Sequence, residues 1–133
     1  MSLYVDSSAF LKRYLEEPES AGCEEILLDD PEWVTGRHTL VEVRRNLSRA
    51  LRGAALTAAR RYFDRDFRRA YVVELDGRTC ALAARLAEAT GARTLDALHL
   101  AAAQRAGGSP RVLTYDVRLA RAARSLGWTV LGA

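Results

Sequence analysis

The sequence predicts an α/β fold, a three-layer α/β/α sandwich with a mostly parallel sheet. Short apolar segments alternate with longer segments of helical periodicity along all 133 residues. Strands separated by helices in this rhythm pair in parallel, and the helices then cover both faces of the sheet. Because the chain has the size of one domain and shows no repeat or linker, we expect a single domain over residues 1–133.

Each element follows from the local pattern. The predicted strands lie at residues 2–6, 33–35, 71–75, 111–114 and 128–131. The predicted helices lie at 7–17, through 23–28, and at 38–51, 56–70, 77–90, 94–106 and 117–126. The first helix is expected to stop before Pro18, since proline disfavours helical backbone at the preceding residue. Gly53, Gly91 and Gly127 stand where helices often end.

The basic residues are almost all arginine. Lys12 is the one lysine among twenty basic residues, and the formal net charge is +3. Arginine presents a planar fork that binds phosphate at two points. Nine arginines crowd the stretch from 44 to 69: Arg44, Arg45, Arg49, Arg52, Arg60, Arg61, Arg65, Arg68 and Arg69. This stretch is either a solvated helix face or a surface for nucleic acid.

The cysteines and the termini indicate a cytoplasmic protein. Cys23 and Cys80 lack the close spacing of metal sites or redox motifs, so both are interpreted as small core residues in a reducing compartment. The N-terminus has no basic segment followed by an apolar run, and no window reaches the roughly 18 apolar residues that span a bilayer. We therefore expect no membrane association.

Carboxylates stand at strand ends and helix starts. Asp6 closes the first strand, and Asp116 follows the fourth strand by two residues. Ligand sites of α/β folds lie beyond the carboxyl ends of the strands, which makes both residues candidates for chemistry. Helix capping explains each aspartate singly. Capping does not explain why three carboxylates, those of Asp6, Asp96 and Asp116, would all lie on one side of the sheet.

The segment TLDALHLAAA, residues 94–103, is apolar on almost all sides and is predicted to be buried. Asp96 and His99 nevertheless lie three residues apart on one face of this helix. Asp96 falls in the first turn, where a carboxylate is stabilised. His99 could contact Asp96, but a single histidine in an apolar helix is more often a core residue, and we do not assign it as a ligand.

Four segments in this order resemble a PIN domain of the VapC toxin type: YVDSSAFLKRYLEE, TLVEVRRNLSRAL, TLDALHLAAA and VLTYDVRLARAARSLGWTVL. The resemblance implies a metal-dependent endoribonuclease of a toxin–antitoxin pair, acting on structured RNA such as tRNA or rRNA. It also implies a small VapB-like antitoxin as partner and a homodimer.

The same resemblance implies the site residues. The acidic site would consist of Asp6, Glu42, Asp96 and Asp116, in which the three aspartates hold one or two Mg²⁺ or Mn²⁺ ions. Carboxylate oxygens are the ligands that these hard cations prefer. Ser7 and Thr114 would support the carboxylates or the phosphate by hydrogen bonds.

Periodicity and resemblance disagree about Glu42. The apolar stripe of its helix consists of Leu40, Val43, Leu47, Ala50 and Leu51. Glu42 lies off the centre of this stripe, beside Arg45 and Asn46, so periodicity alone predicts a solvated residue. The resemblance assigns it to the acidic site.

Other enzyme classes fit less well. An aspartyl-phosphate phosphatase would need a second aspartate where Ser8 stands. A response regulator would need an acceptor aspartate on a central strand, which the strand at 71–75 does not clearly supply. The sequence also has no Walker loop. The alternative that stays open is a catalytically silent RNA-binding or scaffold domain on the same fold. Metal binding would discriminate the two.

Overall fold

The structure is a computed structural model and describes residues 2–133. In this part of the chain five strands are separated by seven helices, which stand in pairs between the first four strands and singly between the last two. Their order is β1 (Leu3–Val5), α1 (Ser7–Tyr14), α2 (Ser20–Asp29), β2 (Trp33–Gly36), α3 (Thr39–Ala50), α4 (Gly53–Arg69), β3 (Tyr71–Val73), α5 (Gly77–Thr90), α6 (Thr94–Arg105), β4 (Arg111–Thr114), α7 (Val117–Ser125) and β5 (Thr129–Gly132). The predicted α/β fold is confirmed.

The strands form one sheet in the order β3-β2-β1-β4-β5, and every neighbouring pair is parallel. Tyr4 of the central strand β1 lies opposite Val34 of β2 and Val112 of β4. The order reverses between β1 and β4, and such a switch point opens a crevice beyond the carboxyl ends of the two strands. Asp6 and Asp116 follow these two strands.

Side chains of the central strand alternate between two cores. Leu3 and Val5 pack with Phe10 and Phe63 from α1 and α4 on one face of the sheet. Tyr4 packs against Ala102 of α6 on the other face. Parallel strands buried on both faces are apolar throughout, which is why the strands read as short apolar runs. None of the helices formed by residues 2–133 is long and apolar enough to cross a membrane.

Two helix ends differ from prediction because side chains satisfy the last carbonyls. The first helix ends at Tyr14 rather than near Pro18, since Leu15 turns to extended backbone and its carbonyl accepts a hydrogen bond from the Ser20 hydroxyl. The third helix ends at Ala50, where the Arg52 guanidinium binds three carbonyls of the final turn. Gly53, predicted to close that helix, begins α4 instead.

The two cysteines differ in burial. Cys23 is fully buried on α2, as predicted, and both thiols are free. Cys80 is exposed, so its interpretation as a core residue was wrong. The buried face of α5 runs through Thr79, Ala83 and Leu86, and Cys80 lies one residue away from that face.

Candidate active site

Asp6 is held by a closed set of hydrogen bonds at the end of β1. The residue is 2% exposed, and its carboxylate accepts hydrogen bonds from Ser8 Oγ at 2.7 Å, Thr114 Oγ1 at 2.6 Å and the Ala9 backbone N–H at 2.9 Å. The bond from Ala9 makes Asp6 the N-terminal cap of α1. Burial raises the pKa of Asp6 in spite of the nearby His99 and these donors.

Thr114 and Ser8 connect Asp6 with the loop after β4. The Thr114 hydroxyl, which donates to Asp6, accepts a hydrogen bond from the Asp116 backbone N–H at 3.0 Å. Ser8 Oγ accepts from the Tyr115 N–H at 2.9 Å. Asp116 in turn caps α7, because its Oδ1 accepts from the N–H groups of the first helical turn. Both cap hydrogen bonds use Oδ1, so Oδ2 is not part of the cap.

Arg93 joins Asp96 and Asp116. Its Nε lies 3.3 Å from Asp96 Oδ2, and one terminal nitrogen lies 3.9 Å from Asp116 Oδ2. Asp96 is buried in the first turn of α6, and burial together with the charge of Asp116 raises the pKa of Asp96, while Arg93 opposes the shift. The chain itself therefore supplies a cation between two carboxylates that repel each other.

Glu42 reaches across from α3 to the opposite helix layer. Its Oε1 accepts hydrogen bonds from Ser7 Oγ at 3.1 Å and from His99 Nε2 of α6 at 2.8 Å. The other ring nitrogen of His99, Nδ1, lies 2.7 Å from the Tyr4 hydroxyl. Burial alone would raise the pKa of Glu42, but His99 and Ser7 outweigh it and lower the pKa below its ordinary value.

His38 is buried beside this pair without a hydrogen-bond partner. Its ring centroid lies 4.0 Å from that of His99, the residue is 7% exposed, and neither ring nitrogen is bonded within residues 2–133. Burial, with the charge of His99, lowers the pKa of His38 to about 4, so the ring is neutral at neutral pH. A buried polar group without a partner costs roughly 1–3 kcal/mol.

Gly36 provides the space for the His38 ring. A Cβ atom built on Gly36 would lie 2.6 Å from His38 Cε1 and 2.7 Å from Nδ1. Real Cβ contacts are not that short, so either the ring or the backbone would have to move. The absence of a side chain at the end of β2 thus leaves the space that the imidazole occupies.

All four predicted carboxylates lie at the carboxyl edge of the sheet. Thr114 links the Asp6 carboxylate to the backbone N–H of Asp116, and Arg93 lies between the carboxylates of Asp96 and Asp116. Glu42 is bonded to Ser7, directly after Asp6. Among residues 2–133, however, a different group is tighter. His38, Glu42 and His99 each offer one possible ligand atom, and these three atoms all lie within 4.8 Å of one another. Asp6, Asp96 and Asp116 do not form so tight a group.

Several residues of this network were not predicted. Ser8, Tyr4, Arg93 and His38 carry no role in the sequence interpretation. His99, for which a contact with Asp96 was considered, is hydrogen-bonded to Glu42 and Tyr4 instead. Two local signals were present. Ser8 stands two residues after a strand-end aspartate, and His38 precedes Glu42 by one helical turn.

Arginines line a surface pocket next to the carboxylates. The pocket has a volume of about 460 Å³ and contains Asp96 together with Arg93, Arg118 and Arg121. These arginines lie outside the predicted basic stretch of residues 44–69. The guanidinium groups beside Asp96 could bind phosphate groups that flank a reacting bond.

Comparison with known proteins agrees with this architecture. The PIN domain family model matches residues 3–125. Ribonuclease VapC46 of Mycobacterium tuberculosis is 36% identical over 131 residues, which cover 98% of this chain and 96% of that protein. The chain therefore belongs to the PIN-domain family, in its VapC branch.

Solved structures extend the likeness in fold. VapC20 of Mycobacterium tuberculosis, described as a sarcin–ricin-loop-cleaving toxin, has a TM-score of 0.73 at 16% identity, over 98% of this chain and 99% of that one. DNA-bound VapBC from Salmonella typhimurium has a TM-score of 0.71 at 15% identity, over 98% and 97%. At such identities the likeness concerns the fold alone.

Proposed function

We propose that the chain is a divalent-metal-dependent endoribonuclease, the toxin of a type II toxin–antitoxin module, which hydrolyses phosphodiester bonds of structured RNA. The observation that carries this proposal is the gathering of Asp6, Glu42, Asp96 and Asp116 from four separate segments at the switch point of the sheet. The 36% identity to a protein named a ribonuclease supports the same reaction.

The ligand set fits Mg²⁺ or Mn²⁺. Asp6, Asp96 and Asp116 offer only oxygen atoms, which hard cations prefer, and burial raises the pKa of both Asp6 and Asp96. A cation would favour the ionised form of both residues. When bound, one or two such ions would activate a water and stabilise the charge on the scissile phosphate. We assign the three aspartates as ligands, directly or through water, and Glu42 as the residue that orients the water.

The surrounding side chains prepare this site. Thr114 and Ser8 fix the orientation of the Asp6 carboxylate, and Ser7 does the same for Glu42. Arg93 offsets part of the negative charge of Asp96 and Asp116. Arg118 and Arg121 would bind the phosphates on either side of the cleaved bond.

Metal-dependent cleavage of purified structured RNA tests the proposal, with Asp116→Asn as the site variant. Asn caps helices about as well as Asp, so α7 should stay intact while cleavage collapses. Asp76→Asn is the matched control, because Asp76 caps α5 in the same way and pairs with Arg105, not with the site carboxylates. Undiminished cleavage in excess chelator would contradict metal dependence. RNA binding without cleavage would favour the silent scaffold.

Partners and compartment are part of the proposal. A small VapB-like antitoxin would cover the exposed side chains Val41, Leu95 and Val117, each of which adjoins a site carboxylate in sequence. The solved relatives include a VapBC complex, which supports such a partner. We also propose a homodimer, in the cytoplasm, where the free thiols would stay reduced. Light scattering of the purified chain should give twice the monomer mass.

A further inference from the structure

The chain has two histidines, and the fold brings them into contact although they are 61 positions apart in sequence. His38 precedes α3, His99 lies in α6 of the opposite helix layer, and their ring centroids are 4.0 Å apart. Glu42 lies one turn after His38 and is bonded to His99. One nitrogen from each histidine and one carboxylate oxygen therefore lie within 4.8 Å of one another.

His38 is the independent sign that this group binds a ligand. Its imidazole is more than nine-tenths buried, neither nitrogen has a hydrogen-bond partner in residues 2–133, and the ring lies against His99. Gly36 leaves room for the ring in this place, because a Cβ at this position would collide with it. The fold thus holds an imidazole that makes no hydrogen bond of normal geometry within residues 2–133.

We propose that His38, Glu42 and His99 form a second cation site, which takes a nitrogen-preferring transition metal such as Zn²⁺ rather than Mg²⁺. Two imidazoles and one carboxylate are the ligands of many three-ligand zinc sites, which leave a fourth position for water. Mg²⁺ prefers oxygen ligands and has little affinity for imidazole. His99 Nε2 and Glu42 Oε1 lie 2.8 Å apart, so both atoms can reach one cation at about 2.0–2.1 Å.

The neighbouring hydroxyls already orient the ligands. His99 Nε2 lies 2.8 Å from Glu42 Oε1, and Nδ1 lies 2.7 Å from the Tyr4 hydroxyl oxygen. Metal binding at Nε2 requires the tautomer in which Nδ1–H donates to the Tyr4 oxygen. Ser7 Oγ donates to Glu42 Oε1, the same oxygen that His99 Nε2 contacts. Partners of this kind fix the ring orientation at metal sites.

Occupation of this site would withdraw Glu42 from the acidic site. This consequence rests on the proposed ribonuclease function, since Glu42 is the residue shared by the two sites. Zn²⁺ should therefore inhibit cleavage that Mg²⁺ or Mn²⁺ supports. Binding itself does not depend on that function and can be measured without RNA.

Binding is tested with Co²⁺ and Zn²⁺ alone on the chelator-treated full chain. Nuclear magnetic resonance of the histidine rings is selective, because the chain has only His38 and His99. One equivalent of Zn²⁺ should shift both ring signals and leave His99 with a proton on Nδ1 alone, and Co²⁺ should produce visible d–d absorption. Unchanged ring signals with Zn²⁺ in excess would overturn the proposal.

Variants locate the metal. His38→Leu, of similar volume, should weaken Zn²⁺ binding by at least about 100-fold, and the cleavage that this variant retains should no longer respond to Zn²⁺. His38→Gln repeats the test if the leucine variant folds poorly. Asp116→Asn should abolish cleavage and keep the Co²⁺ spectrum, which separates the two sites. Equal Co²⁺ binding by wild type and both His38 variants would place the ion among the aspartates and refute the site.

Discussion

Replacement of Asp6 by asparagine distinguishes a metal ligand from a helix cap. The asparagine Oδ1 can accept the hydrogen bonds from Ala9 and Ser8, and its amide can donate to Thr114, whose hydroxyl then turns away. Burial raises the pKa of Asp6, so the fold penalises the charge of this side chain, and the uncharged asparagine avoids that penalty. The metal-free free energy of unfolding should therefore change by less than about 1 kcal/mol.

Asp6→Ala is the contrasting variant. Alanine removes the acceptor for three donors, namely the N–H of Ala9 and the hydroxyls of Ser8 and Thr114. Loss of the cap costs about 1 kcal/mol, and an unpaired buried donor costs roughly 1–3 kcal/mol. The hydroxyls can turn toward each other, since they lie 3.3 Å apart, so we expect a total loss of about 3 kcal/mol.

The effect of metal on stability then decides the role of Asp6. At a Mn²⁺ concentration 100 times Kd, the wild-type chain should gain about 2.7 kcal/mol. For a domain of this size that gain raises Tm by roughly 10 °C. Asp6→Asn should keep the metal-free Tm and lose most of this rise, as measured by urea and thermal denaturation with and without Mn²⁺. An Asn variant that is still stabilised by Mn²⁺, or is as unstable as Asp6→Ala, would refute the assignment.

Three further predictions concern packing, pH and salt. Gly36→Ala should destabilise the chain by about 1–3 kcal/mol, because the new Cβ would collide with His38. Gly22→Ala is the control: its Cβ would meet nothing within 4 Å in α2, so it should be neutral or stabilising by up to about 1 kcal/mol. Equal effects of the two variants would contradict the expected collision. Cap hydrogen bonds lower the pKa of Asp76 from its ordinary value of 3.8 to about 2. The ionised Asp76 therefore stabilises the fold fully above pH 3.8, and this stabilisation is lost as the pH falls toward 2. Asp76→Asn should therefore approach wild-type stability in urea unfolding as the pH falls, and a constant difference would exclude this. If the arginines of residues 44–69 bind RNA, the Kd should rise steeply with salt, and a flat salt series would identify a solvated face.

The fold was predictable because its signals are local. A buried parallel strand needs only a short apolar run, and a helix needs one apolar stripe, so the order of elements can be read without knowledge of distant contacts. The errors arose where a distant or chemical detail decided. The end of α1 involves the Ser20 hydroxyl, which binds the carbonyl of Leu15 five residues earlier in the chain. Cys80 lies one position away from the buried face of α5, and the residue type alone does not reveal which face of a helix is buried.

The strand-end carboxylates were predictable for a topological reason. Parallel strands present their carboxyl ends at one edge, so Asp6 and Asp116 had to lie on the same side of the sheet once the strands were assigned. The sequence did not reveal which strands are neighbours in the sheet. The hydrogen bond from Thr114 to Asp6 forms only because β1 lies beside β4. Arg93 was missed because it precedes its helix and carries no periodic signal.

Glu42 shows where helical periodicity fails. A helical wheel ranks residues by their angle to the core beneath the helix, and by that measure Glu42 belongs to the solvent. α3 begins at the carboxyl edge of the sheet, however, so a side chain in its first turn can reach past the edge toward α6. Its two partners lie 35 and 57 residues away in sequence, and no local pattern encodes them. A charged residue off the apolar stripe in the first turn after a parallel strand therefore has two destinations, solvent or the crevice, and only the topology of the sheet decides between them.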